Sequence, residues 1–243
     1  MRAVLTFLLV YGVKLFSRAF YRLDVEWVGD PGDDPWSRLR AAAFLNHTSL
    51  WEVLFFAALP NQVLWRFARH GVVPGADKTL NRPVVGLFFR LFAHRVVSIT
   101  RRRDHTWTEF MDVLGDDSLV VMAPEGRMKR PSGFDLQGNP MTVRGGIADV
   151  LEVLGSGDLL IAYSGGLHHV QAPGEALPRL FKTIRLRLEV LDIAAYLREM
   201  GFASDISDEA MAAFKKNVIR DLEARRDRWC PMETPGATES RDG

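Results

Sequence analysis

A histidine and a carboxylate stand five residues apart in the segment Asn46-His47-Thr48-Ser49-Leu50-Trp51-Glu52. A neutral imidazole can take a proton from a hydroxyl group when its other ring nitrogen is held in one tautomer. A nearby carboxylate fixes that tautomer and stabilises the imidazolium that forms. The spacing suits a histidine just outside a helix and a carboxylate in its first turn. His47 and Glu52 are therefore a candidate general base and its orienting partner.

The same segment also has a purely structural interpretation. Ser49-x-x-Glu52 matches a capping box, in which the serine side chain accepts a bond from a first-turn amide and the glutamate reaches back to the cap amide. Under this interpretation Glu52 only caps the helix, and His47 is an ordinary loop histidine. The segment alone does not separate the two interpretations, so a second feature has to.

A second polar cluster, Pro124-Glu125-Gly126, follows the apolar run 118–123, and three cations come next, Arg127, Lys129 and Arg130. Arginine and lysine are the residues that bind phosphate, arginine through its two-pronged guanidinium. Glycine permits backbone conformations and close ligand approaches that other residues do not. This cluster is a candidate anion site, and a solvated basic loop after a strand is the simpler alternative.

Hydrophobic periodicity and turn residues predict strands that alternate with helices along the chain. The predicted strands are 23–28, 41–45, 62–68, 96–99, 118–123, 159–163 and 183–191. The predicted helices are 49–59, 83–93, a segment that ends at 114, 147–154 and 208–228, with loops at 29–35, 74–75 and 131–140. This alternation predicts one α/β domain with a mostly parallel central sheet flanked by helices. Ligand groups gather where the strands of such sheets end, and both polar clusters follow predicted strands.

The first 22 residues join an apolar run, 3–13, to a basic and aromatic stretch. The run is shorter than the roughly 20 apolar residues that a membrane-spanning helix needs, and no cleavage site of a secretory signal follows it. We expect residues 1–22 to form a helix in the membrane interface, with Lys14, Arg18 and Arg22 toward lipid phosphates. A buried core helix is the alternative. The domain would then be 23–230, followed by a disordered tail, 231–243.

Composition and the remaining polar residues narrow the functional classes. A net charge of +1 gives no basic excess for nucleic acid. The single cysteine, Cys230, allows neither an intrachain disulfide nor a thiolate metal cluster and fits a reducing compartment. Ser164 lacks the G-x-S-x-G elbow of a serine hydrolase. His168 and His169 lack the spacing of zinc ligands, so no metal is expected, and a substrate contact by either stays open.

In their order and separation, the two clusters resemble motifs of the glycerolipid and lysophospholipid acyltransferases. That family carries Asn-His-x4-Asp and, later, Pro-Glu-Gly-Thr-Arg-Ser. Its second motif, an apolar strand that ends in arginine, is similar to residues 97–101, and its lysine-glycine segment is similar to Arg144-Gly145-Gly146. Its fourth motif, another apolar strand, corresponds to 159–163. The resemblance covers roughly residues 40–165, and its specificity lies in the agreement of several motifs in sequence order.

This sequence departs from the family pattern in three places. Glu52 stands where most members have aspartate, although the late acyltransferases of lipid A carry glutamate there. Arg127-Met128-Lys129 replaces Thr-Arg-Ser, which moves the arginine by one position. The fourth motif runs into Ser164-Gly165-Gly166 rather than a Pro-Val pair. The change after Gly126 leaves open which cation binds the acceptor anion.

The resemblance implies acyl transfer from a thioester, acyl-CoA or acyl-carrier protein, to a hydroxyl of a glycerophosphate or lysophospholipid-type acceptor, without a cofactor. His47 would be the general base and Glu52 would orient it. The residues implied in binding an anionic lipid acceptor are Arg101, Glu125, Gly126, Arg127, Lys129 and Arg130. The partners implied are the acyl donor and a membrane lipid surface, with the protein peripheral on the cytoplasmic face of the membrane. A lipid A-type acceptor, or a non-catalytic lipid-binding relative, is the alternative.

Overall fold

A computed structural model describes residues 1–100, 104–172, 175, 177–203 and 207–231. The strands are β1 (Arg22–Trp27), β2 (Leu39–Leu45), β3 (Gly71–Ala76), β4 (Arg95–Ile99), β5 (Leu119–Met122), β6 (Asp158–Ser164) and β7 (Thr183–Asp192). The helices are α1 (Arg2–Phe20), α2 (Asn61–His70), α3 (Asp77–Leu80), α4 (Pro83–Phe92), α5 (His105–Asp112), α6 (Gly146–Leu154), α7 (Ile193–Glu199) and α8 (Asp208–Trp229), with a 3₁₀ helix at Leu50–Ala58.

The described strands form one seven-stranded sheet in the order β1-β7-β6-β2-β5-β3-β4. Every neighbouring pair is parallel except β6 and β7, which are antiparallel. All seven residues of β6 are buried, as expected for a strand covered by helices on both faces. The predicted α/β fold with a mostly parallel sheet is confirmed.

The core lies in two layers, one on each face of the sheet. Successive side chains of a strand point to opposite faces, so in β2 Ala41, Ala43 and Leu45 join one layer while Ala42 joins the other. Leu39 also joins the second layer, because the pairing register shifts between Leu39 and Ala41. The first layer lies under α5, α6, α7 and α8, and the second lies under α1, α2, α4 and the 3₁₀ helix. Parallel pairing places the carboxyl ends of β2, β5 and β6 at one edge, between these layers.

Two local predictions are wrong. Residues 62–68, predicted as a strand, lie in helix α2, whose buried residues Val63, Leu64, Phe67 and Ala68 follow helical spacing. Residues 74–75, predicted as a loop, lie in β3. Proline lacks the amide that a sheet ladder uses, and β3 tolerates Pro74 because its pairing with β5 has already ended at Val72. Helix α7 was not predicted.

Helix α1 packs one face on the domain and exposes the other. Its buried positions, Thr6, Val10, Lys14 and Ser17, face the 3₁₀ helix and α2. The prediction that Lys14 reaches toward lipid phosphates is wrong, because its Nζ donates to Leu59 O at 2.7 Å and to Asn61 Oδ1 at 2.8 Å.

Four large apolar side chains on the opposite face of α1 are exposed, namely Val4, Leu5, Leu8 and Leu15. By length and composition α1 could also cross a membrane. The sequence favoured an interfacial helix instead, because charged residues begin at Lys14. The division at residues 22 and 230 stays a prediction, and the tail from 232 lies outside the described residues.

Candidate active site

The first polar cluster begins where β2 ends. Asn46 adopts the left-handed conformation, with a φ of 63°, which asparagine tolerates better than most residues. Its side-chain amide donates to Ser164 O at 2.9 Å, at the end of the neighbouring strand β6. This bond fixes the turn that carries His47 out of the sheet.

Glu52 serves both functions that the sequence left open. Its Oε2 lies 2.6 Å from His47 Nδ1. Its Oε1 accepts the backbone amides of Thr48 at 2.7 Å and Ser49 at 3.4 Å, while Ser49 Oγ accepts the amide of Trp51 at 3.2 Å. The capping box is therefore present, and it positions the carboxylate that holds the imidazole.

The surroundings of His47 favour its protonated form. Burial by itself lowers the pKa of His47, but the Glu52 carboxylate raises it by charge and by hydrogen bonding, and the Glu125 charge raises it further. The net effect is a pKa above the ordinary value for histidine. With Nδ1 donating to Glu52, Nε2 is the ring nitrogen left to exchange a proton with a substrate.

The second cluster meets the first through the backbone of His47. Glu125 is 1% exposed, and its Oε2 accepts the His47 amide at 2.8 Å. The Lys129 amide donates to His47 O at 2.7 Å. The other Glu125 oxygen accepts Arg226 Nη1 at 3.0 Å. Glu125 is thus a buried bridge between the His47 turn and α8, outside the residues that line the cavity described next.

A cavity of about 500 Å³ opens beside His47. Its walls come mainly from β3, β4, α2, α4 and the 3₁₀ helix and are mostly apolar, with Phe56, Phe67, Phe89, Phe92 and Val96 among them. The neighbouring Phe55 packs in the core and does not line the cavity. The polar lining includes His47, Glu52, Thr100, Arg127 and Arg144. The cavity therefore combines the His47–Glu52 pair, two arginines and an apolar chamber.

The cations predicted to bind the acceptor occupy different positions in the structure. Arg127 lines the cavity, and its guanidinium is paired with the buried carboxylate of Asp135. Lys129 Nζ donates to Asn46 Oδ1 at 3.2 Å, so Lys129 braces the His47 turn. Arg130 does not line the cavity, and Arg101 lies outside the described residues.

Sequence reasoning missed Arg144 as a cavity cation, although its segment matched a family motif. The Arg144 amide donates to Pro124 O at 2.9 Å, which ties the start of α6 to the second cluster. Gly145 and Gly146 follow it along the cavity wall. A side chain at Gly146 would collide with Trp107, since a Cβ there would lie 2.6 Å from Cη2 of the indole. The signal available in the sequence was a cation before two glycines at the start of a helix.

The other polar residues considered from the sequence support the loops. Ser164 is fully buried, and its Oγ accepts the amide of Gly166 at 3.0 Å. His168 Nε2 bonds to Lys129 O at 2.9 Å, and His169 Nε2 bonds to Thr183 O at 2.8 Å. These contacts give Ser164 and both imidazoles structural partners.

A family model described as an acyltransferase matches residues 38–164, just over half of the chain. The chain therefore belongs to the acyltransferase family, as the motifs predicted.

Among solved structures, its fold is similar to the crystal structure of PlsC, the 1-acyl-sn-glycerophosphate (LPA) acyltransferase of Thermotoga maritima. The two share 18% sequence identity and a TM-score of 0.50, over 90% of this chain and 80% of that one. Likeness at this identity shows the fold. No curated protein sequence matches the chain significantly.

The His47–Glu52 pair can be tested without a substrate. We expect Glu52→Gln to lower the pKa of His47, because burial alone disfavours the imidazolium and the main compensating charge is lost. An NMR titration of the His47 ring protons measures the change. Glu109→Gln, on the exposed side of α5, is the matched control. A His47 pKa that is the same in both variants would contradict the pairing.

Proposed function

We propose that this acyltransferase moves an acyl group from a thioester, acyl-CoA or acyl-carrier protein, to a hydroxyl of a glycerophosphate or lysophospholipid-type acceptor, with His47 as the general base. One observation carries the proposal: the His47–Glu52 pair opens onto an apolar cavity of about 500 Å³ that also contains two arginines. An acyl chain needs the apolar walls, a hydroxyl needs the base, and a phosphate needs the cations. The LPA acyltransferase activity named for PlsC is of this kind.

The reaction follows from the orientation of the imidazole. His47 Nε2 takes the proton of the acceptor hydroxyl as its oxygen attacks the thioester carbonyl carbon. The tetrahedral intermediate then collapses, the carbon–sulfur bond breaks, and the imidazolium returns the proton to the departing thiolate. The products are an ester and a free thiol, and no covalent enzyme intermediate forms. Glu52 keeps Nδ1 protonated throughout and stabilises the transient positive charge.

The oxyanion of that intermediate needs donors at the cavity wall. The amides near Gly126 are one candidate, but the Gly126 amide already donates to Ala123 O at 3.0 Å. Gly145 and Gly146 line the same cavity at the start of α6, where amides lack intrahelical acceptors. We therefore assign the oxyanion contact to the amides at the start of α6.

We assign binding of the acceptor anion to Arg127 and Arg144, the two arginines that line the cavity. Arg127 keeps its geometry through Asp135, and Arg144 is exposed toward solvent, where a phosphate can reach it. Lys129 and Glu125 contact the His47 turn instead. We therefore assign these two predicted ligands to support of that turn and not to binding of the acceptor. Arg101 stays a predicted ligand.

We assign membrane binding to the exposed face of α1 together with the outer face of α4. Leu8 of α1 and Leu87 of α4 are each 59% exposed, and the two helices are in contact. The inner face of α4 supplies Phe89 and Phe92 to the cavity. A lipid surface against these helices would stand next to the acyl chamber, in keeping with a peripheral enzyme at the cytoplasmic face.

Replacement of the base tests the reaction itself. We expect His47→Ala to reduce thiol release from acyl-CoA plus acceptor by about 10²- to 10⁴-fold, the usual contribution of a general base. Thiol release is followed with a chromogenic thiol reagent. His105→Ala, at an exposed position of α5, controls for loss of a histidine. Equal, measurable rates for the His47 variant and the parent enzyme would show that His47 has no catalytic role. Thiol release by neither protein would indicate a lipid-binding relative.

Replacement of Arg144 tests the anion site. A hydrogen bond to a charged group contributes about 1.5–3 kcal/mol, so we expect Arg144→Met to raise the KM for a phosphate-bearing acceptor by about ten- to 100-fold. The KM for an uncharged monoacylglycerol should change little, and Arg198→Met, exposed on α7, should change neither value. A parallel rise for both acceptors would place the phosphate elsewhere.

Replacement of exposed leucines tests the membrane face and preserves the α1 packing that a deletion would remove. We expect the double change Leu8→Glu and Leu87→Glu to weaken liposome binding by more than about tenfold, because each leucine transfers roughly 2 kcal/mol of apolar surface into the interface. Liposome flotation measures the bound fraction. Val153→Glu, which is 52% exposed on α6, is the control. Unchanged flotation of the double variant would rule out this face.

A further inference from the structure

Helix α8 lies outside the matched residues 38–164, yet it contacts the active site. Arg226 Nη1 donates both to Glu125 Oε1 and to Met141 O, each at 3.0 Å. Glu125 in turn accepts the His47 amide at 2.8 Å through its second oxygen. One guanidinium of α8 is therefore linked through a single carboxylate to the backbone of the proposed base.

A second contact from α8 secures the segment before Arg144. Glu223 Oε1 accepts the amide of Val143 at 3.0 Å, and Arg226 holds Met141 two residues earlier. Glu223 and Arg226 are three residues apart, which places them on the same side of the helix. The side chains of α8 thus fix both ends of residues 141–143, the segment that delivers Arg144 and the α6 amides to the cavity.

We propose that Arg226 is a positioning residue of the active site, which acts through Glu125 to hold the His47 turn and the 141–143 segment in register. This inference rests on the proposed function of His47. Helix α8 then contributes to the active site, although all the family motifs lie before residue 166.

Charge balance gives Arg226 a second effect. The charges near the His47 turn include Glu52 from the 3₁₀ helix and Glu125 and Lys129 from the segment after β5. Arg226 of α8 pairs with Glu125 and also with the exposed Asp227 at 2.9 Å, while Arg127 and Arg144 line the adjoining cavity. Glu125 is almost fully buried, and Arg226 neutralises it at 3.0 Å. Without Arg226, the unbalanced Glu125 charge would stabilise the imidazolium and raise the pKa of His47 further.

The neighbouring arginine provides a matched control. Arg225 is buried to a similar degree, with 20% of its side chain exposed against 16% for Arg226. Its ion pairs run to Glu189 and Asp221, both at 2.7 Å. It therefore stabilises α8 and β7 without touching Glu125. Arg225→Met should lower the free energy of unfolding and leave the His47 environment unchanged.

The experiment compares Arg226→Met, Arg226→Lys and Arg225→Met in the full chain. Phe214, Val218 and Leu222 anchor α8 to the core independently of either arginine. We expect Arg226→Met to lower kcat/KM at neutral pH about tenfold or more, since small displacements of reacting groups cost this much. The acid limb of the pH profile should move to higher pH, because more of the base is protonated. Arg226→Lys should restore part of the rate and move the limb back.

Titration of His47 by NMR makes the test independent of turnover, with the His47→Gln spectrum assigning the resonance among six histidines. We expect Arg226→Met to raise the His47 pKa, and the double change with Glu125→Gln to abolish that rise. An unchanged pKa in Arg226→Met, or an equal rise in Arg225→Met, would overturn the inference. If the pKa rises as expected while His47→Ala keeps full activity, the coupling exists but His47 is not the base, so the proposed function fails on its own evidence.

Discussion

The parallel pairing of β2 with β5 on one side and β6 on the other is the constraint on which the site depends. It brings Asn46, Pro124 and Ser164 to one edge of the sheet, although up to 118 residues separate them in sequence. The Asn46–Ser164 and His47–Glu125 bonds then join the three strand ends. A base on a loop gains a fixed direction only when its backbone is held in this way. The apolar chamber opens beside the same edge, and residues of β3, β4 and α4 line it.

The capping box shows how one carboxylate can cap a helix and hold an imidazole at the same time. Glu52 uses one oxygen for the amides at the start of the 3₁₀ helix and the other for the imidazole. The helix therefore positions the carboxylate, and the carboxylate positions the histidine. Either function alone would account for Glu52 in the sequence, which is why the segment could not separate them. Glutamate rather than aspartate suits this double contact, since its longer side chain reaches back from the first turn to Nδ1.

The sequence predicted where the strands end and where both polar clusters lie, because short apolar runs and turn residues are local signals. It placed residues 62–68 in a strand, because an apolar run of this length does not distinguish the two periodicities until its neighbours are known. Lys14 was assigned to lipid phosphates because a charge is expected at the surface, and the family resemblance implied Glu125 in acceptor binding. Both are buried with partners 45 or more residues away. The contribution of α8 could not be predicted for the same reason, since it depends on a contact between residues distant in sequence. Arg226 follows its partner Glu125 by 101 residues.

The departure from the family pattern after Gly126 divides two tasks between neighbouring cations. Arg127 faces the cavity, where Asp135 holds its guanidinium. Lys129, two residues on, turns to the other side, and both its amide and its ammonium support the His47 turn. Moving the arginine by one position therefore keeps a cation in the cavity and leaves the following segment to support the His47 turn. Arg144 enters the same cavity from the start of α6, so an anion there would meet cations from both ends of the connection between β5 and α6. Helix α8 contacts both ends of that connection, at Glu125 and at residues 141–143.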